Sequence, residues 1–469
     1  MADALWTSDE LVAATGGTLV GAPFDVTGVS IDTRTIAPGD LFIALAGARD
    51  GHEFVGPARA GGAVGALVTH PVCGCQVVVP DTLKALEALG VAARERAHEA
   101  RRGAVTGSVG KTSVTQALAA GLALAGPAHA SVKSYNNHIG VPLTLARMPR
   151  ETRRAVFEVG MNHAGEIAPL SRMIAPHAVA ITTVGPVHIE NFPDGEEGVA
   201  RAKAEIFAGL QPGGAAVLNA DDRWFDLLKA EAESAGAKVV RFGLDPTCEA
   251  QLLGFEVVHG GAVVSARLRG RNLRFPIRQS GAHWGANSLA VLLMLDVLGV
   301  DLDTGLAALA DFAPLSGRGA EHRLSAHGAV FDLIDESYNA NPVSMAAAIK
   351  NLGARRPAGR RIAVLTDMLE LGPDSSRFHA DLAQPLAEAD VDLVFCAGPL
   401  MRSLWDALPP ARRGGHAQTV AEIEQAVAAA IGPGDVVMVK GSNGSKAGGI
   451  VAFLIAVFEE PRAGEGAAL

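Results

Sequence analysis

This sequence predicts an α/β fold in three domains, and three observations carry that reading. The chain is 469 residues long, which at roughly 150 residues per domain allows about three separate cores. Short apolar, β-rich runs alternate with Ala- and Leu-rich helical stretches, the rhythm of mainly parallel sheets with crossover helices. Glycine is in excess, 54 residues or about 11.5% against a usual ~7%, and the glycines sit mostly where the apolar runs end.

The first block, residues 1–102, holds strands at Leu41–Leu45 and Gln76–Val79 and a helix near Leu83–Arg102. That helix is expected to end in Arg101-Arg102-Gly103, a basic last turn followed by a glycine stop. The middle block, 103–315, has strand candidates at Gly103–Thr106, Ala155–Glu158, Val179–Val184 and Ala215–Asn219, each followed by a polar or Gly-containing turn. The last block, 316–469, repeats the rhythm at Val330–Asp335, Arg361–Thr366, Leu393–Ala397 and Asp435–Lys440. Within it, Asn341-Pro342 reads as an N-cap with proline at the first helical position, and Gly353 as the stop. Pro314–Gly319 is the candidate linker. Ligands of open α/β sheets gather beyond the carboxyl ends of the strands, so the polar residues after these runs matter most.

Composition removes several function classes. Hydrophobic residues at 49% and charged residues at 19% fit a soluble globular protein rather than a disordered one. A net charge of −10 disfavours a general nucleic-acid binder. The start, Met1–Trp6, has neither a basic region nor an apolar core, so no signal peptide is expected. The apolar stretches Ala117–Ala125 and Ile450–Phe458 fall well short of the ~20 residues that cross a bilayer. Cys73, Cys75, Cys248 and Cys396 lie too far apart for a zinc quartet or a disulfide framework and are expected as free thiols. The expected compartment is the cytoplasm.

Thr106-Gly107-Ser108-Val109-Gly110-Lys111-Thr112-Ser113 follows a short strand and opens a helix. Backbone N–H groups of such a loop cradle phosphates at a helix N-terminus. Lys111 would neutralise the β- and γ-phosphates and the Thr112 hydroxyl would ligate Mg²⁺. Val105 stands where the general pattern has its first glycine. Glu158 ends the next run, where a carboxylate suits a hard cation. By local context alone Glu158 is an ordinary strand-end carboxylate, His188 an ordinary loop histidine and Lys203 a solvated helix residue near a Glu197–Arg201 pair. Asp335–Pro342 packs six hydrogen-bonding side chains and a helix start directly after a strand. Thr366–Gly372 and Lys440-Gly441-Ser442 repeat that arrangement.

Taken together these residues resemble the Mur ligases, ATP-dependent amide-bond formers of peptidoglycan precursor synthesis, over essentially the whole chain. The loop Thr106–Ser113, Glu158, His188, Lys203 within Ala202–Phe207, and His283 with Asn287 carry the likeness. Asn136–Pro142, Ser337–Pro342 and Asp367–Gly372 are similar to the branch that joins D-alanyl-D-alanine to UDP-N-acetylmuramoyl-tripeptide; the Asp-Asn-Pro-Arg motif of a sister branch is absent. The resemblance implies an N-terminal α/β UDP-substrate domain, a central P-loop ATPase domain and a C-terminal Rossmann-like domain binding the dipeptide. It implies ATP contacts from Thr106–Ser113, Asn137, Asn287, Arg318 and Asp335, and catalytic roles for Lys111, Glu158, His188 and Lys203. Two Mg²⁺ ions are implied, held by Thr112, Glu158, His188 and a carbamylated Lys203. Asp32, Thr33, Arg34, Asp50, His52, Ser337, Tyr338, Asn339 and Asn341 are implied substrate contacts. The expected route runs through an acyl phosphate. A cytoplasmic monomer is expected, with neither nucleic acid nor membrane insertion. Glu336, Thr366 and Asn443 stand where the family usually has aspartate, glycine and arginine. The alternatives are a sister ligase that adds one amino acid, of another Mur or the folylpolyglutamate synthase type, a non-catalytic P-loop switch, or a structural protein with a degenerate loop.

Overall fold

The computed structural model describes residues 4–458 except 48, 133, 259 and 327–328. Three large sheets organise it. The first has five strands in the order Thr18–Val20, Gln76–Val78, Gly65–Val68, Asp40–Ile43, Gly28–Ser30, parallel except at the first pair. The helix Thr82–Arg96 covers it, started by Asp81, whose side chain accepts from Leu83 and Lys84 N–H.

That helix stops at Arg96 and does not run to Arg102. Arg101 and Arg102 open the strand Arg101–Thr106, pairing with Arg154 and Ala155 of the neighbouring strand. The doublet that reads as a basic last turn is therefore strand. Its second guanidinium is buried and donates to the carbonyls of Ala100, Ile174 and Ala175, which satisfies a charge that sequence reasoning places in water.

The central sheet has nine strands. Its order is Arg271–Ile277, Gly261–Leu268, Ala250–Val258, Lys238–Gly243, Ala215–Asn219, Ala178–Ile181, Arg101–Thr106, Arg154–Glu158, Ala128–Ala130. Seven of these, from Ala250–Val258 through Ala128–Ala130, form a parallel array, while Gly261–Leu268 and Arg271–Ile277 follow Ala250–Val258 in an antiparallel meander that the alternating pattern does not announce. Apolar clusters fill both faces, one around Leu118, Phe242 and Leu293, the other around Phe157, Ile181 and Phe207. Near-continuous apolar strands are what burial on both faces requires. The chain leaves Arg101–Thr106 first to one side and returns to the other, so this strand marks the switch point where a ligand crevice opens.

The third sheet runs Ala320–Ala326, Ala329–Glu336, Val436–Lys440, Arg361–Thr366, Leu393–Ala397, Arg413–Ala417, parallel except at the first pair. Its helix Pro342–Gly353 begins as expected: Asn341 Oδ1 accepts from Ser344 N and proline takes the first turn. The stretch Pro314–Gly319 forms no regular element and folds back on the sheet, Gly319 N donating to Asp335 O. All four cysteines are free thiols.

Candidate active site

The loop after Arg101–Thr106 is shaped by two glycines at positive φ, Gly107 at +148° and Gly110 at +88°. A Cβ on Gly107 would overlap Thr182 Oγ1, and one on Gly110 would sit 3.3 Å from Asn287 Nδ2. Only glycine lets the loop lie this close to its neighbours. Strand Ala178–Ile181 ends three residues short of the Val184 boundary that the sequence suggests, and the freed threonines hold the loop instead. Ser108 N donates to Thr183 O (2.7 Å) and Thr182 Oγ1 to Val109 O (2.5 Å). Helix Lys111–Leu124 then starts with its N–H groups turned to the loop.

Lys111 Nζ donates to Gly107 O at 2.6 Å. Burial depresses its pKa and Arg318 adds to that, while Glu158 opposes it. Thr112 Oγ1 is 3.3 Å from Ser134 Oγ. Glu158, 1% exposed, accepts from Asn136 Nδ2 through Oε1 (2.7 Å), while its Oε2 is buried with no hydrogen-bond partner. A buried carboxylate oxygen left unpaired, on a wall that also carries the Thr112 hydroxyl, is a donor set that suits a hard cation.

These groups wall a cavity of about 460 Å³. From the central sheet come Ser108–Ser113, Ser134, Asn136, Glu158, Thr183, His188, His283 and Asn287. From the third come Gly317, Arg318, Glu336, Tyr338, Asn339, Lys440 and one face of helix Pro342–Gly353, with Val343, Ser344, Ala347 and Ala348. Arg318 stacks over the Tyr338 ring at 4.1 Å, and Tyr338 Oη donates to Ser134 Oγ at 2.9 Å, bridging the two sheets' loops. Lys440 Nζ donates to Asn339 O (2.9 Å) and approaches Glu336 Oε2 (3.4 Å). His188 Nδ1 lies 2.6 Å from Glu370 Oε2; its pKa is lowered, first by burial, with Glu370 opposing and Lys111 and Lys203 adding to the depression.

Of the residues singled out in the sequence, the structure gathers Ser108, Val109, Gly110, Lys111, Thr112, Ser113, Glu158, His188, Asn287, Arg318, Tyr338 and Asn339 on this wall. Others serve behind it. Thr106 ends the strand and Gly107 turns the loop. Lys203 is 2% exposed on helix Gly195–Ala204, its pKa driven well down by burial and then by Lys111. Asp335 accepts from Gly317 N and from the Ser337 N–H and hydroxyl, so both residues brace the turn rather than line it. Asn341 caps its helix, and Asn137 Oδ1 accepts from Ile139 and Gly140 N–H.

The N-terminal group stands outside the cavity wall. Arg34 pairs with Asp32 at 2.7 Å, with Thr33 between them. Asp50 accepts from His52 Nδ1 (2.6 Å), His52 Nε2 accepts from Thr69 N (2.9 Å), and the ring stacks on His70 at 4.1 Å. Both His52 nitrogens are thus engaged internally.

Sequence reasoning passes over Ser134, Thr183 and the Val343–Ala348 face as site residues. A loop hydroxyl and an apolar helix face carry no motif; Glu336 and Lys440, by contrast, lie in turns already marked as polar strand ends. At the unusual Thr366, Oγ1 lies 2.5 Å from Ser445 Oγ, and a Cβ on Gly441 would overlap that hydroxyl.

Comparison with known proteins follows the same lines. The Mur ligase middle domain matches residues 105–295, and the Mur ligase glutamate ligase domain residues 322–443. The chain is 30% identical to UDP-N-acetylmuramoyl-tripeptide–D-alanyl-D-alanine ligase of Rickettsia prowazekii, covering 96% of this chain and 99% of that one. It is 36% identical to the protein of that name in Escherichia coli, covering 84% and 86%. The crystal structure of MurF from Acinetobacter baumannii superposes with a TM-score of 0.84 at 28% identity, covering 96% and 99%.

Proposed function

The chain belongs to the Mur ligase family, and from that we infer that it is an ATP-dependent ligase joining D-alanyl-D-alanine to UDP-N-acetylmuramoyl-tripeptide in peptidoglycan precursor synthesis. One observation carries the reading in this chain: a single cavity has a glycine-shaped phosphate cradle on one wall and third-sheet cations, Arg318 and Lys440, on the other. A ligase that must hold a nucleotide and an incoming amine together needs both walls.

The tripeptide's terminal carboxylate is a poor acylating group until its oxygen becomes a good leaving group. In the proposed route that oxygen attacks the γ-phosphorus of ATP; the new O–P bond forms as the bond to the β-phosphate oxygen breaks, giving an acyl phosphate and ADP. The dipeptide amine, having lost a proton, then attacks the acyl carbon, and the C–O bond to phosphate breaks. Two anions meet in the first step, so Lys111 and Arg318 have to offset charge, the electrostatic part of phosphoryl transfer. The unpaired Glu158 oxygen and the Thr112 hydroxyl would hold Mg²⁺. Mg²⁺ bound there would neutralise phosphate charge. A second ion, with His188 and a carbamylated Lys203, is the finer part of the proposal. Lys203 is suited to it because burial favours the uncharged amine, the form that adds to carbon dioxide. The third sheet's loops would shut water away from the acyl phosphate.

The proposed division is 1–102 for the UDP-substrate, with Asp32–Arg34 and the Asp50–His52 turn as its platform, 103–315 for ATP, and 316–469 for the dipeptide. Among the described residues no helix is long and apolar enough to cross a membrane. A cytoplasmic monomer is proposed. The test is the product: the mass of tripeptide plus dipeptide minus water, with labelled carboxylate oxygen recovered in phosphate. Turnover with a single amino acid but not the dipeptide would move the chain to a sister ligase.

A further inference from the structure

His188 and Glu370 meet across the gap between central and third sheets, and both are non-glycine residues at positive φ, +52° and +62°. Such backbone conformations are strained for a residue with a Cβ and persist only where the surroundings fix them. Gly372, at +64°, belongs to the same contact: a Cβ on it would sit 3.2 Å from Glu190 Cβ. Left-handed residues on both sides thus press the turn 370–372 onto the turn 188–190.

The contact has a chemical consequence. A carboxylate oxygen only accepts, so the 2.6 Å bond from His188 Nδ1 to Glu370 Oε2 puts the ring proton on Nδ1. In the neutral ring Nε2 then keeps its lone pair, on a ring that lines the cavity. Which nitrogen of a histidine acts is set by the hydrogen bond the other one makes.

We propose that Glu370 is the positioning residue for His188: delivered by the third domain, it fixes the Nδ1-protonated tautomer and so leaves Nε2 as the group facing the nucleotide. Closure of the third domain then makes the central site ready, in addition to bringing the dipeptide. The proposal rests on the ligase reading for its kinetic meaning and on the ring's tautomer for its direct test.

That test uses the full-length chain with ¹⁵N-labelled histidine, free of nucleotide, at pH 8. His188→Gln identifies the signal. The expected wild-type signal is Nδ1-protonated; Glu370→Ala shifts it toward the Nε2-protonated form, and Glu370→Gln, which keeps an accepting oxygen, restores it. In turnover, Glu370→Ala lowers kcat by about tenfold to a hundredfold, the usual effect of losing such a partner, with KM for the UDP-tripeptide unchanged and Glu370→Gln within a few-fold of wild type. An Nε2-protonated His188 in the wild type, or an alanine variant with tautomer and kcat unchanged, overturns the proposal. A wild-type chain inactive with every acceptor would instead refute the ligase reading and leave the tautomer to decide this one.

Discussion

Two lysines make the point at the scale of single residues. Lys111 is legible because a phosphate-binding lysine has a fixed place at the end of a glycine loop. Lys203 is not: an i,i+4 pair at Glu197 and Arg201 forms as the sequence suggests, and nothing along the helix distinguishes the lysine two residues on. What sets it apart is tertiary, 2% exposure and a neighbouring Lys111 charge. Burial and the Lys111 charge favour its uncharged form, so ¹³C-bicarbonate should give a carbamate resonance in the wild type that is missing in Lys203→Ala. The variant should lose about tenfold to a hundredfold in kcat. No carbamate resonance and an active alanine variant would remove Lys203 from the chemistry.

Strands and helices were legible where apolar runs end in polar turns. Ala215–Asn219, Arg361–Thr366 and Leu393–Ala397 match residue for residue, because each has an apolar interior and is bounded by turn residues on both sides. The boundary at Arg101-Arg102 failed because a buried arginine satisfied by carbonyls looks, in one dimension, like a helix end. The antiparallel Ala250–Ile277 meander depends on pairing partners that local pattern does not name. One edge element carries a pH dependence. On Ala128–Ala130, the His129 ring packs near Phe157 and donates from Nε2 to Thr144 O at 2.7 Å, and burial lowers its pKa to about 4. The folded value lies below the unfolded ~6.5, so the neutral ring's contribution is present above pH 6.5 and is lost as pH falls toward 4. Between pH 7 and pH 5 that is about 1–2 kcal/mol. Denaturant titrations at both pH values should show His129→Gln with a smaller acid loss than wild type by this amount; equal losses would mean the ring is not buried neutral.

At the scale of the molecule, local pattern marks the chemistry of each wall of the cavity, and only the family resemblance implies that the walls meet. Tyr338 Oη to Ser134 Oγ joins residues 204 positions apart, a pairing that no spacing argument reaches. Tyr338→Phe keeps the ring under Arg318 and removes only that bond. One hydrogen bond is worth about 1 kcal/mol, so MgATP affinity should fall about fivefold by calorimetry, and an unchanged affinity would show that the bridge does not help hold the nucleotide. The central claim is that both walls serve one ligation. Phosphate release from MgATP, measured with the purified chain and UDP-N-acetylmuramoyl-tripeptide and D-alanyl-D-alanine added separately and together, tests it most directly. Release that requires both substrates, one phosphate per joined product, is the predicted result; nucleotide binding with no release dependent on both would contradict it.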